Sequence, residues 1–234
     1  MAKIRTLMIS GANRGIGRAI AERAFRDGHR LSLGTRNPAS MKRSGFPVCK
    51  RVQIVPYEAS DPAMAANWVD ACLERFGGVD GVIHCAGIFS RVGLLFSDEQ
   101  LEDINRLWNV NVLGPWWLTR AAWPALVKSG DGRIITLVSM SGKRVKGGLA
   151  GYSASKFALM GLCQTMRNVG WADGIRVTAI CPSWVNTDMA SRVDNIPKSE
   201  MTQPEDLACI ASQLMQLPAA SVPFEVAVNC QLEH

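Results

Sequence analysis

The sequence predicts an α/β fold: a doubly wound parallel sheet with helices on both faces, in three layers. Two observations carry the prediction. Short apolar runs alternate with amphipathic stretches from one end of the 234 residues to the other. Strands separated by helical patterns pair in parallel through right-handed crossovers. The first apolar run also ends in a glycine-rich turn, Ser10-Gly11-Ala12-Asn13-Arg14-Gly15-Ile16-Gly17, that opens straight into a helical pattern. A turn of that kind belongs at the first strand–helix junction of such a sheet.

The predicted strands are 4–9, 30–35, 52–56, 79–85, 132–139, 175–181 and 224–229. Each is a short apolar run, as expected of strands buried on both faces. The helices predicted between them are 15–27, 61–76, 99–109, 111–128, 151–169 and 204–217. Segment 37–51, with Pro38, Gly45 and Pro47, carries the weakest pattern and is expected to be irregular. A second irregular segment, 187–203, follows the sixth strand, where a doubly wound sheet places its crevice. One domain is expected over 1–231, with Leu232-Glu233-His234 read as the start of a purification tag.

A chain of this length buries about 70–75% of its unfolded surface without disulfides or metal. Its net charge is +6, with the densest basic group at Lys143, Arg144 and Lys146. No basic stripe with interleaved aromatics appears, which argues against a nucleic-acid partner and for a small anionic ligand. Seven cysteines (49, 72, 85, 163, 181, 209 and 230) show no C-x-x-C pairing, the usage of a reducing compartment. Without an apolar leader or a membrane-length apolar run, the chain is expected to be soluble and cytoplasmic. No His, Cys, Asp or Glu set has metal-ligand spacing. His29 precedes a strand and His84 lies in one, so neither is a catalytic candidate.

Glycines 11, 15 and 17 free the turn and let backbone approach a pyrophosphate, while the helix that follows offers N–H groups and a positive dipole end. The spacing is G-x-x-x-G-x-G, distinct from the G-x-G-x-x-G dinucleotide fingerprint. A second constellation is Tyr152-Ser-Ala-Ser-Lys156, with Ser139 thirteen residues upstream. Tyrosine and lysine four apart share a helix face. An ammonium about 4 Å from the phenol, at an effective dielectric near 20, favours phenolate by about 4 kcal/mol, lowering the pKa from about 10 toward 7. A phenol so tuned suits acid–base work at a carbonyl or alcohol.

The glycine turn, Cys85-Ala86-Gly87, Asn111-Val112-Leu113-Gly114, Ser139 and Tyr152-x-x-x-Lys156 together resemble the short-chain dehydrogenase/reductase family, in its order and spacing over almost the whole chain. The resemblance implies a Rossmann-like seven-stranded sheet, a nicotinamide cofactor and interconversion of alcohol and carbonyl. It makes Tyr152 the general acid/base, Lys156 the residue that lowers its pKa and holds the nicotinamide ribose, and Ser139 the hydroxyl that binds the substrate oxygen, with Ser141 as understudy. Asn111 would help anchor a water chain from Lys156, with Asn109 as its rival. The implied cofactor contacts are Gly11, Asn13, Arg14, Gly15, Ile16 and Gly17 from the turn. Ala86, Gly87, Pro182, Val185 and Thr187 follow, Thr187 at the carboxamide.

Several positions refine this. Arg36 stands at the end of the second strand, where an NAD enzyme usually carries an acid. With Arg14 it offers two guanidinium forks to a 2′-phosphate, so NADP(H) is expected. Glu58 stands in place of the family's aspartate near the adenine, with Ala59 offering a backbone N–H. Pro182-Ser183-Trp184 departs from the usual Pro-Gly, and Trp184 either walls the substrate pocket or simply packs. Lys143, Arg144 and Lys146 read as a solvated loop or as a lure for an acidic substrate. The stretch 188–203, with Arg192, Asp194 and Asn195, favours a small polar substrate. Trp116, Trp117 and Trp123, with Phe157 and Met160, exceed one core face and point to a homodimer or tetramer. A 3-oxoacyl-thioester reductase and a non-catalytic NADP(H) sensor stand as alternatives.

Overall fold

The computed structural model describes residues 3–145, 147–191 and 196–228. Lys146, Arg192, Asp194, Asn195 and the last residues of the chain, the expected tag included, lie outside them. Seven strands, β1 (Thr6–Ser10), β2 (Arg30–Thr35), β3 (Val52–Pro56), β4 (Gly81–His84), β5 (Arg133–Leu137), β6 (Arg176–Pro182) and β7 (Glu225–Val228), form one sheet. Their order is β3-β2-β1-β4-β5-β6-β7, and every neighbouring pair is parallel. The order reverses between β1 and β4, which opens a crevice beyond their carboxyl ends.

Seven α-helices cover the sheet: α1 (Gly15–Arg26), α2 (Pro38–Arg43), α3 (Pro62–Phe76), α4 (Leu101–Trp108), α5 (Gly114–Lys128), α6 (Ala150–Gly170) and α7 (Pro204–Gln216). Successive strand residues point to opposite faces, so each strand feeds two cores. Leu7 and Ile9 of β1 join Ile20 of α1 and Leu207 of α7. Met8, between them, joins Trp68 of α3, Leu118 of α5 and Leu159 of α6. Gly34 is required here: a Cβ would lie 2.5 Å from the Trp68 ring.

Two expectations are corrected. Segment 37–51 is not wholly irregular, for it contains α2. Asn37 caps that helix, its Oδ1 accepting from Ser40 N at 2.9 Å, and Pro38 sits at the helix start, where a missing N–H costs nothing. Buried Met41 and Phe46 hold the segment down. The helices predicted as 99–109 and 111–128 are joined through a π turn over Asn109–Leu113, with Gly114 N bonding Asn109 O. Pro115 has no N–H for the carbonyl four residues earlier, so the α ladder cannot run through.

At the amino ends of the central strands, Arg5 and Arg133 are each 2% exposed and share Asp131, whose carboxylate accepts from Arg5 Nη2 at 2.7 Å and Arg133 Nη1 at 2.5 Å. The two arginines also donate to the carbonyls of Met215 and Leu217, tying the end of α7 across the sheet. Burial would raise the Asp131 carboxyl, but hydrogen bonds from Arg5 and Lys3 and the charges of both arginines outweigh it and hold it at about 2. A carboxyl held below its ordinary value stabilises the fold fully above about pH 4, and the contribution drains away as pH falls toward 2. Asp131→Asn is expected to cost about 3 kcal/mol at neutral pH by stranding two buried guanidiniums. Urea melts between pH 2 and 5 should also show a shallower acid loss in that variant.

Candidate active site

A cavity of about 470 Å³ opens over the carboxyl ends of β1 to β4. The glycine turn forms its floor, with Gly11, Asn13, Arg14, Gly15, Ile16 and Gly17 all lining it. Gly11 and Gly15 take φ of 66° and 54°. A Cβ on Gly17 would lie 2.4 Å from Gly11 O, and one on Gly11 would lie 2.8 Å from Ala86 N. Backbone therefore occupies the space where side chains would stand. Ser10 Oγ accepts from Cys85 N and Ala86 N at 3.1 Å each, locking the turn to the end of β4.

The N-terminus of α1 has no side-chain cap and no acid in its first turn, so its N–H groups and dipole are available to an anion. Asn13 Oδ1 is buried without a hydrogen-bond partner among the described residues. A buried orphan acceptor is costly, and a ribose hydroxyl or amide would satisfy it. These residues fit a dinucleotide.

Arg36, exposed at the end of β2, lines the same cavity. Arg14 lines it too, and its Nη1 lies 3.2 Å from Asp188 Oδ2, with both side chains exposed. Beyond β3, Glu58 and Ala59 add a wall; Glu58 Oε1 accepts from Ser60 N at 3.4 Å. Ala86, Gly87 and Thr187 complete the predicted set on this surface. Pro182 and Val185 are buried beside it rather than among its lining residues.

The sequence reading missed a further wall: Glu102 and Arg106 of α4, then Asn109 and Val110 of the π turn. Their i, i+4, i+7, i+8 spacing was a usable signal, one face of a helix. Asp188 was also missed.

The second constellation adjoins the cavity at Gly87, where a Cβ would lie 3.5 Å from Asn111 Oδ1 and 3.8 Å from Lys156 Nζ. Tyr152, Lys156 and Asn111 are all buried. Lys156 Nζ donates to Leu137 O at 3.1 Å and lies 5.8 Å from the centre of the Tyr152 ring. Phe89 meets that ring edge-on, centroids 5.0 Å apart. Ser139 follows β5 with φ 152° and ψ 158°, a region costing a non-glycine residue about 1–3 kcal/mol. Val138 N bonding Ile180 O and Ser139 Oγ accepting from Ser141 N at 3.1 Å hold the bend. Ser141 thus serves Ser139 through its backbone.

The expected depression of the Tyr152 pKa is corrected. Burial pushes the phenol up to about 12, and the Ser139 hydroxyl beside it pulls only partly back. Burial also pushes Lys156 down to about 8, against the opposing influence of the Cys163, Cys181 and Cys85 thiols. Desolvation is the largest influence on both groups, because the whole pair is out of water.

Asn111 Oδ1 accepts from Ile88 N at 2.9 Å, and its Nδ2 donates to Ile88 O and Ser155 Oγ. Its side chain is thus spent on holding the β4 loop to α6. Asn109 stands instead in the cavity wall. Trp184 is half-buried, and its backbone carbonyl accepts from Thr202 N at 3.1 Å. Lys143 is ion-paired with Glu225 of β7, which weakens its reading as a lure for acidic substrates. His84 bonds Thr119 Oγ1 at 2.9 Å, and burial pushes it down to about 3. Among the described residues no group of His, Cys, Asp or Glu could hold a metal ion, and no helix is long and apolar enough to cross a membrane.

Comparison with known proteins agrees with this architecture. Residues 5–197 match the family model described as short chain dehydrogenase. Agropine synthesis reductase of Rhizobium rhizogenes is 36% identical over 97% of the chain, but the match covers 53% of that protein; the chain spans about half the length of the agropine synthesis reductases it matches. Sepiapterin reductase of Chlorobaculum tepidum is 29% identical, with 95% of each chain covered. The alcohol dehydrogenase of the archaeon Thermococcus sibiricus, solved with 5-hydroxy-NADP, superposes with a TM-score of 0.84 at 27% identity over 96% of both chains. With a seven-stranded sheet of this order and a family model matched over most of its length, the chain belongs to the short-chain dehydrogenase family.

Proposed function

We propose that this oxidoreductase interconverts a carbonyl and a secondary alcohol using NADP(H), with Tyr152 as the general acid/base. The observation that carries the reading is that Ser139, Tyr152 and Lys156 stand together beside a cavity whose floor is the glycine turn, adjoining it at Gly87. The bound nicotinamide supplies or accepts the hydride. Everything else falls to the chain. The Ser139 hydroxyl positions the substrate oxygen, the neutral phenol of Tyr152 protonates it in reduction, and Lys156 steadies the phenolate left behind. A phenol held at about 12 keeps its proton at neutral pH, so the proton-donating form is the one present for reduction. The relatives named above, two reductases and an alcohol dehydrogenase, accord with this chemistry.

NADP(H) is preferred on this reading because Arg14 and Arg36 both line the cavity and no acid stands at the end of β2. A small polar carbonyl compound is the proposed substrate class, handled by one catalytic domain in the cytoplasm. The free cysteines among the described residues accord with that compartment. The thioester-reductase alternative would need a surface to dock an acidic acyl carrier; it is less favoured, since Lys143 of the basic loop is already paired with Glu225. Trp117 and Trp123 pack inward against the core, yet Trp116 of α5 and Phe157 of α6 are 54% and 43% exposed. That outward pair supports a dimer or tetramer.

Tyr152→Phe is expected to lower turnover at least a thousandfold across a panel of carbonyls while NADPH affinity, read by fluorescence titration, stays within about threefold. Retained turnover would remove Tyr152 from the mechanism, whereas NADPH binding without turnover in the unaltered protein would favour the sensor. Arg36→Asp should reverse the NADPH/NADH preference in kcat/KM by about a hundredfold; an unmoved ratio would sink the 2′-phosphate assignment. Light scattering should give two or four times the mass of the 25.4 kDa chain, and a monomer would dispose of the oligomer.

A further inference from the structure

The face of α4 that lines the cavity has no part in the function proposed so far. Glu102, Arg106, Asn109 and Val110 lie on one stripe. The backbone at its foot is close to the sheet, since a Cβ on Gly114 would lie 2.7 Å from Ala59 O beyond β3. At about 1.5 Å per residue, Arg106 stands roughly 6 Å along the helix from Val110. The stripe thus rises as a wall over the β3 side of the crevice, and Arg36 enters the same cavity from the end of β2.

The cavity has two chemically different ends. Tyr152 and Lys156 sit on the β5 side and the glycine turn is central after β1. Arg36 and Glu58 bound the far side, and the stripe that carries Arg106 reaches it at Gly114, beside Ala59. A dinucleotide with its pyrophosphate on the glycine turn and its nicotinamide toward Tyr152 must place its adenosine half there.

Arg106 is 58% exposed, and its ion pair with Asp103, three residues earlier, is a loose 3.7 Å contact. Surface pairs of that kind hold a side chain weakly. Half-buried Val110, one turn further on, adds an apolar surface below it. A planar guanidinium above an aliphatic side chain suits the flat face of a heteroaromatic ring. Phosphates already have the glycine turn, Arg14 and Arg36.

We infer that Arg106 is a cofactor-binding residue that grips the adenine ring through the plane of its guanidinium. The inference rests on the dinucleotide reading above. Its test is fluorescence titration of NADPH and NADH into the full chain and into Arg106→Ala, Arg106→Lys and Arg36→Ala, with melting temperatures taken without cofactor. Arg106→Ala should weaken both nucleotides by the same factor, roughly three- to tenfold. Arg106→Lys should be weakened nearly as much, because lysine keeps the charge and loses the plane. Arg36→Ala should weaken NADPH far more than NADH. Unchanged affinities in Arg106→Ala would overturn the inference. So would a loss confined to NADPH, which would make Arg106 a 2′-phosphate ligand, full recovery in Arg106→Lys, or a lowered melting temperature accompanying the loss. If the unaltered protein binds neither nucleotide, the dinucleotide reading itself fails, a result distinct from all of these.

Discussion

The site depends on how closely the glycine turn is drawn against the end of β4. Gly11 and Gly17 leave no room for a Cβ between the turn, the Ala86 backbone and each other, and Ser10 Oγ fixes the spacing by accepting from two successive N–H groups. That approach sets where α1 begins, and so where its uncapped N–H groups point. It also brings Gly87 beside Lys156 and Asn111, so the phosphate end and the proton-transfer end are built on one short run of backbone. A side chain at either glycine would disturb both ends at once, because the run from Cys85 to Ile88 is shared.

At the chemical end, the balance between burial and charge decides what the residues are. Lys156 and Tyr152 belong to one helix face, but the low-dielectric surroundings work against both charged forms, raising the phenol and lowering the ammonium. The pair is therefore close to neutral tyrosine with a lysine near its titration point, rather than a preformed phenolate. The positive charge of an oxidised nicotinamide would favour phenolate, so the acid–base state of Tyr152 is coupled to which cofactor form is present. Ser139 contributes through its hydroxyl and through its place at a bend that most residues avoid.

Strand identity and order were legible because both-face burial writes itself as short apolar runs, and all seven runs became strands of one sheet. The glycine turn, Ser139, Tyr152 and Lys156 could be named because turn chemistry and helical spacing are local signals. Two things stayed hidden. Helix α2 was obscured because proline reads as a breaker, yet Pro38 sits in the first turn, where the fold tolerates it. The direction of the Tyr152 shift was misread because spacing gives proximity but not dielectric; that depends on Phe89, Val92 and Leu107, which come from other elements to cover the ring. The wall of Glu102, Arg106, Asn109 and Val110 left a signal in its helical spacing, but spacing does not say which face of a helix meets a cavity.

The π turn has a consequence for how the chain tolerates change. It inserts one extra residue into an otherwise helical run, and each helical residue turns the backbone by about 100°. A one-residue deletion between Asn109 and Leu113 would remove that extra residue and swing α4 around its axis relative to α5. Arg106 and Glu102 would leave the cavity, and Leu107 would leave the Tyr152 ring that it helps to cover, while the sheet stayed put. This short stretch is thus a rotary joint that indexes one wall of the crevice and the apolar cover over Tyr152 together. A lineage that changed its length by one residue would gain a different set of side chains against its ligand without altering its core.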